Sequence, residues 1–288
     1  MNPLVSVCIF TYNHENLIVK CIESALMQKT NFEFEIVIGE DYSKDNTRKI
    51  CLEYANSFPN KVKVLDRGKN IGMCENIFGS LQECRGKYIA LLDGDDYWID
   101  PLKLQKQFDF LEKENDINLV FHQSIRINEL NNLVDLFVKE IKIKYKFADI
   151  IDNWLMATGS MFFRSEEMVY PDFVYHSHNF DLTIQLLVNR NGNDVGYIND
   201  TMSVYRINTG SNTNNPAYDS INTWKRLKIL FNDFNKYTNL KYNNQIINKI
   251  YYYDKLICEY NQFNFKNSVK SVVKKIFSFF GFTLTKKQ

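Results

Sequence analysis

Four carboxylates crowd one short stretch, "KYIALLDGDDYWIDP" (87–101), where Asp93, Asp95 and Asp96 end an apolar run and Asp100 follows close behind. Like charges at that spacing repel, and each raises the pKa of its neighbours. A hard divalent cation such as Mn2+ or Mg2+ would hold them ionised, because it prefers carboxylate oxygens. One or two protein carboxylates suffice when a phosphate-bearing ligand supplies the remaining oxygens. In an extended D-x-D segment alternate side chains point the same way, so Asp93 and Asp95 share one side of a strand end. A solvated acidic turn is the other reading. Asp96 and Asp100 suit it, since Asp100-Pro101 is a good N-cap and N1 pair.

The elements that place these residues alternate along the first 130 positions. Short β-rich runs at 4–10, 34–39, 61–66, 88–92 and 117–127 are separated by stretches with apolar residues at helical spacing, 15–28, 45–58 and 72–84, and by a helix starting at Pro101. That alternation predicts βαβ units and an α/β fold with a mostly parallel, Rossmann-like sheet flanked by helices. Ligands of such sheets bind at the carboxyl ends of the strands. Three polar clusters fall there: "TYN" (11–13), "EDYSKDN" (40–46) and "DGDD" (93–96). No GxGxxG follows the first strand, so a dinucleotide fingerprint is absent.

"PLVSVCIFTYN", "EIVIGEDYSKDNT" and "NIGMCENIFGSLQECRGKYIALLDGDDYWIDPLKL" together resemble the nucleotide-binding half of family-2 glycosyltransferases. The likeness runs in order from residue 3 to about 115 and more loosely to about 210. It implies a GT-A fold using a nucleoside diphosphate sugar. By resemblance Thr11 stands at the strand end, and Tyr12 and Asn13 lie beside the nucleobase. Asp41 accepts from the base N3–H, with Glu40 where an Asp is usual. Asp93 faces the ribose or a metal-bound water, and Asp95 is the direct metal ligand. An acceptor-only carboxylate suits a uracil-type N–H; a UDP-sugar is the expected donor, with dTDP- and GDP-sugars as the alternatives. Arg67, Lys69 and Asn70 in "DRGKNIGMCEN" are placed to approach the phosphates or the donor sugar, or else are surface residues.

A transferase also needs an acceptor site and a base. A carboxylate opposite the leaving group can take the proton of an attacking hydroxyl and give inversion in one step. Asp181 in "HNFDLTIQLLV" is the candidate, by resemblance to the family's acidic motif. As a helix N-terminal acid it would also stabilise the helix dipole. Phe180 replaces the residue usual before that acid. "TGSMFF" (158–163), with Gly159 and Ser160, is expected to line the acceptor pocket. "MSVYRINTGS" (202–211) resembles the strand and lid that follow it, with Arg206 meeting the diphosphate. Asn208 stands where members often carry a histidine, and Gly210 and Ser211 suggest a flexible lid.

The 288 residues form an expected GT-A domain at 1–215 and a helical extension at 216–288. The nucleotide-sugar half is 1–115 and the acceptor half 116–215. Residues 264–288 hold six lysines and no acid. Lys266, Lys270, Lys274 and Lys275 alternate with valines and phenylalanines, a pattern that lies on anionic membranes or else packs on the core. A net charge of +1 gives no global field for nucleic acid. The six cysteines form no CxxC and read as buried free thiols of a reducing compartment. No apolar run approaches the length of a membrane span. The expected place is cytoplasmic, free or peripheral on the inner membrane. The expected role is building surface polysaccharide on a saccharide or lipid-linked acceptor. A sugar-1-phosphate nucleotidyltransferase and a non-catalytic scaffold are the rival readings.

Overall fold

The computed structural model describes residues 3–128, 133–207 and 220–279. The chain forms two units, 1–218 and 219–288. In the first, strands β1 (Val5–Thr11), β2 (Phe34–Glu40), β3 (Val62–Leu65), β4 (Tyr88–Asp93), β5 (Tyr97–Trp98), β6 (Leu119–Asn128), β7 (Leu133–Leu136), β8 (Lys144–Tyr145), β9 (Phe162–Arg164) and β10 (Val195–Arg206) build one sheet. Its order is β3-β2-β1-β4-β9-β6-β10-β5, with β7 on β6 and β8 on β10. The pairs among β3, β2, β1 and β4, and β6 with β10, are parallel. Helices α1 (Ile18–Leu26), α2 (Thr47–Ser57), α3 (Met73–Gln82), α4 (Lys103–Lys113), α5 (Phe147–Asp152) and α6 (Phe180–Val188) connect the strands.

The strands are mostly apolar, as strands covered on both faces are, and every residue of β1 and β2 is inside; the buried Ser6 hydroxyl donates to Glu35 at 2.7 Å. Helix α1 buries Ile18, Cys21, Ile22 and Ala25 at the three- and four-residue spacing of one face. Asp45 accepts the Thr47 N–H where α2 begins, and Asp100 accepts the Leu102 N–H ahead of α4. All six cysteines are free thiols, and Cys8, Cys21, Cys51 and Cys74 are buried.

One departure from the expected alternation matters for the site. The strand after α4 does not join β4 directly; β9, from the "TGSMFFR" segment, lies antiparallel between β4 and β6. That insertion brings the turn before β9 up beside the end of β4. The strand order reverses between the parallel strands β1 and β4, with β2 and β3 added on one side of β1 and β4 on the other, and there Phe10 pairs with Asp93. It is at such a switch that an open α/β sheet leaves a crevice at its strand ends.

In the second unit, α7 (Ser220–Tyr237) and α8 (Asn243–Phe279) form a helical hairpin. Phe231 stacks on Tyr253 and Trp224 meets Tyr260 edge-on. Lys228 pairs with Asp254. The tail side chains from residue 263 onward lie outside the described residues, although the helix backbone is described to Phe279.

Candidate active site

The parallel register puts the three polar clusters on one edge, since Thr11 is opposite Glu40 and Phe10 opposite Asp93. At the end of β2, Asp41 is 3% exposed on average over its atoms. Its Oδ1 accepts the Ile71 N–H at 2.8 Å and its Oδ2 the Gly72 N–H at 3.0 Å, where α3 begins. Burial pushes its carboxyl up, and those two N–H donors pull against the rise. Asn70 donates to the Asp41 carbonyl at 2.8 Å. The Asp41 N–H in turn donates to the Thr11 carbonyl. Tyr12 is exposed beside them. Asn13 takes a left-handed backbone (φ 56°), a conformation asparagine tolerates well, and its Oδ1 accepts the Lys44 N–H at 2.9 Å.

The acidic turn closes over the end of β1. A Cβ at Gly94 would stand 2.5 Å from Thr11 Oγ1 and 2.8 Å from His14 Nδ1, so only glycine lets the turn sit this low. Asp93 is half-buried; burial raises its pKa well above the usual carboxylate range, the Asp95 and Asp181 charges add to the rise, and a Thr158 hydrogen bond opposes it. Asp96 is 1% exposed, and burial followed by the charges of Asp95 and Asp93 raises it likewise. Asp96 Oδ1 accepts the Arg206 N–H at 2.8 Å, while Oδ2 is buried without a partner. Arg206 Nη1 donates to the Asp95 carbonyl, and the guanidinium lies over the Tyr97 ring at 4.5 Å.

Asp181 sits in the first turn of α6. Phe180 meets Phe10 edge-on at 5.2 Å, pinning that turn to the end of β1. Asp181 Oδ2 accepts the Trp154 indole N–H at 3.0 Å. Burial raises the Asp181 carboxyl; the Leu182 N–H and Trp154 moderate the rise.

The acids present fit a divalent cation. They are hard oxygen donors, and burial first and the neighbouring carboxylates second push Asp93 and Asp96 toward their neutral forms, which a positive ion would oppose. Among the described residues no three His, Cys, Asp or Glu side chains form a ready cage. Asp95 and Asp93 would therefore hold the ion together with water and ligand oxygens.

Several expected contacts lie elsewhere. Ser160 is fully buried with its hydroxyl on the Ala157 carbonyl, and the Gly159 carbonyl accepts from the Trp98 indole. Both serve the turn before β9, and Thr158 of that turn reaches Asp93 instead. Arg206 is turned inward to hold the acidic turn. Arg67 donates to Asn76 and Ser80 of α3. Glu40 is fully buried, accepting from Ser43 N–H and pairing with Arg48, so it shapes the loop that follows β2. Asn208, Gly210 and Ser211 lie outside the described residues. Trp154 was not expected. Thr158 was expected only as part of the acceptor-lining segment and reaches Asp93, and Asp96, read as a solvated turn residue, is buried.

A sequence model described as "Glycosyl transferase family 2" matches residues 6–169. An uncharacterized glycosyltransferase of Methanocaldococcus jannaschii is 28% identical over 260 residues, 87% of this chain and 84% of that protein. The UDP-Glc:alpha-D-GlcNAc-diphosphoundecaprenol beta-1,3-glucosyltransferase WfgD of Escherichia coli is 35% identical over 142 residues, 49% of this chain and 53% of that one. The chain spans about a third of the length of the mycobacterial relatives it matches, 34%. Among solved structures, TarS of S. aureus in complex with UDP-GlcNAc superposes with a TM-score of 0.61 at 17% identity, over 79% of this chain and 65% of that one. The mannosyltransferase PcManGT of Pyrobaculum calidifontis, in complex with GDP-Man and Mn2+, gives 0.58 at 16%, over 81% and 64%. At those identities the structures speak for the fold.

Proposed function

This chain belongs to glycosyl transferase family 2, and from that premise we propose that it moves a sugar from a UDP-sugar to a saccharide or lipid-linked saccharide, with inversion and with a divalent cation. The observation that carries the reading is the meeting of two acidic centres. The β4-end carboxylates Asp93 and Asp95 and the α6 carboxylate Asp181 come from segments far apart in sequence, yet Phe180, next to Asp181, packs edge-on against Phe10, the register partner of Asp93. In this reading the β4 end is the diphosphate-binding side and the start of α6 the proton-accepting side.

Asp41, Tyr12 and Asn13 form the nucleoside end. The Asp41 oxygens already accept backbone N–H groups, and each keeps a second lone pair with which to accept the N3–H of a uracil. Asp95, with Asp93, would hold Mn2+ or Mg2+, which would supply positive charge against the departing diphosphate. Arg206 and Gly94 act from behind by fixing the turn that presents these carboxylates. Asp181 takes the proton of the acceptor hydroxyl. The UDP preference draws support from the UDP-Glc in the name of WfgD and the UDP-GlcNAc in complex with TarS; PcManGT, with GDP-Man and Mn2+, supports the cation and marks GDP as the competing nucleotide. No described helix is long and apolar enough to cross a membrane. A lipid-linked acceptor would instead be met through the lysine-rich tail lying on an anionic surface.

The test is nucleoside diphosphate release from a panel of UDP-, dTDP- and GDP-sugars with Mn2+, with and without saccharide acceptors. Release from a UDP-sugar that stops with EDTA or with Asp95→Asn supports the reading. Release that is indifferent to both removes the cation from the mechanism.

A further inference from the structure

We propose that Trp154 is the acceptor platform: a pyranose ring of the acceptor stacks on its indole face and so presents its attacking hydroxyl to Asp181. The inference rests on Asp181 being the base, as proposed above. Trp154 is 49% exposed. An exposed tryptophan is usually mobile on its surface, but this one is held on three sides. Its N–H is spent on Asp181 Oδ2 at 3.0 Å. The Phe137 ring meets it at 4.9 Å and 75°, and the Tyr205 ring at 6.1 Å and 82°. Phe137 and Tyr205 meet each other at 5.6 Å and 77°, completing a triangle of edge-to-face rings.

That triangle is anchored to the sheet. Tyr205 belongs to β10, and the Phe137 N–H donates to the Ser124 carbonyl of β6 at 2.8 Å. Arg126 lies over Phe137 and grips Asp135 with two nitrogens, at 2.8 and 2.6 Å. A rigid aromatic surface left open to solvent, with a carboxylate on its edge, suits a ligand that is apolar on its face and hydroxylated on its rim. A pyranose has that shape. Its axial C–H groups carry slight positive charge and meet the negative π face, while its hydroxyls stay at the edge. The Trp154–Asp181 hydrogen bond fixes the carboxylate relative to the stacked ring. In the step served, the acceptor oxygen bonds the anomeric carbon, the bond from that carbon to the diphosphate oxygen breaks with its electron pair, and the hydroxyl proton passes to Asp181.

Two substitutions separate the contributions of the indole. Trp154→Phe keeps an aromatic face and removes the N–H; Trp154→Ala removes both. Methyl glycosides of glucose, galactose, mannose, N-acetylglucosamine and N-acetylgalactosamine, up to tens of millimolar, are titrated against the full chain holding UDP and Mn2+. Binding is read by saturation-transfer NMR and by tryptophan fluorescence. The expected result is that at least one glycoside binds and quenches fluorescence. Its affinity should fall roughly tenfold in Trp154→Ala and at most a few-fold in Trp154→Phe, with the quench gone in both and UDP affinity unchanged. Equal glycoside affinity in wild type and Trp154→Ala, or no glycoside binding while UDP binds, overturns the platform alone. Failure of UDP to bind the wild type overturns the site reading, and the platform with it.

Discussion

At the scale of single residues, the acids differ in what surrounds them. Asp181→Asn keeps the shape of the first turn of α6 and removes the proton acceptor. Donor affinity is expected to stay within about twofold while transfer falls roughly 100- to 10,000-fold, the usual worth of a general base. Single-turnover transfer alongside calorimetry of UDP decides it, and normal transfer would remove Asp181 from the role. Burial holds the Asp181 carboxyl above the ordinary range. A base works ionised, so activity is lost as pH falls through that raised value, at a higher pH than an unperturbed aspartate would give. The acid limb of the kcat/KM profile at saturating Mn2+ reads this directly. Asp41 has a second duty at the start of α3. Asp41→Ala leaves the Ile71 and Gly72 N–H groups without their acceptor and is expected to cost about 1–3 kcal/mol of stability, measurable by urea denaturation, besides weakening nucleotide binding.

At the scale of elements, the site depends on how low the acidic turn sits and how firmly α6 is pinned. A methyl group at position 94 would collide with Thr11 and His14. Gly94→Ala should therefore weaken Mn2+-dependent UDP binding at least tenfold with little change in circular dichroism; unchanged binding would show that the turn has room to move. Phe180→Ala removes the edge-on contact with Phe10, worth about 0.5–1.5 kcal/mol beyond its buried area. It should lower kcat more than it raises the donor KM, because Asp181 loses its placement and the nucleoside end does not. Sequence made the ends of β1, β2 and β4 legible, since buried parallel strands read as unbroken apolar runs and end where polar residues begin. It gave no sign that β9 runs back between β4 and β6, because three residues, Phe162–Arg164, have too little pattern to reveal their partner. For the same reason Gly159 and Ser160 read as pocket residues: nothing local says that the turn holding them is buried and only Thr158 reaches Asp93. Trp154 escaped notice because its meaning lies in a contact with Asp181, 27 positions away. Phe180, a departure from the family pattern, turned out to be the residue that anchors α6 to β1.

At the scale of the whole molecule, the α/β unit is followed in the chain by a second unit, the helical hairpin, and by a lysine-rich tail. Each lysine near an anionic surface contributes about 1 kcal/mol, roughly fivefold in affinity. The full chain should sediment with phosphatidylglycerol vesicles and not with phosphatidylcholine vesicles, and replacing Lys266, Lys270, Lys274 and Lys275 by Gln should release it. Equal sedimentation after replacement would assign the tail to packing within the protein. Whether the acidic turn holds a cation for the diphosphate is decided by calorimetric titration of UDP with and without Mn2+, on wild type and on Asp95→Asn. Binding by the wild type is expected only when Mn2+ is present, and no metal-dependent binding by the variant. UDP binding of equal strength without the ion, or undiminished in Asp95→Asn, would contradict that expectation.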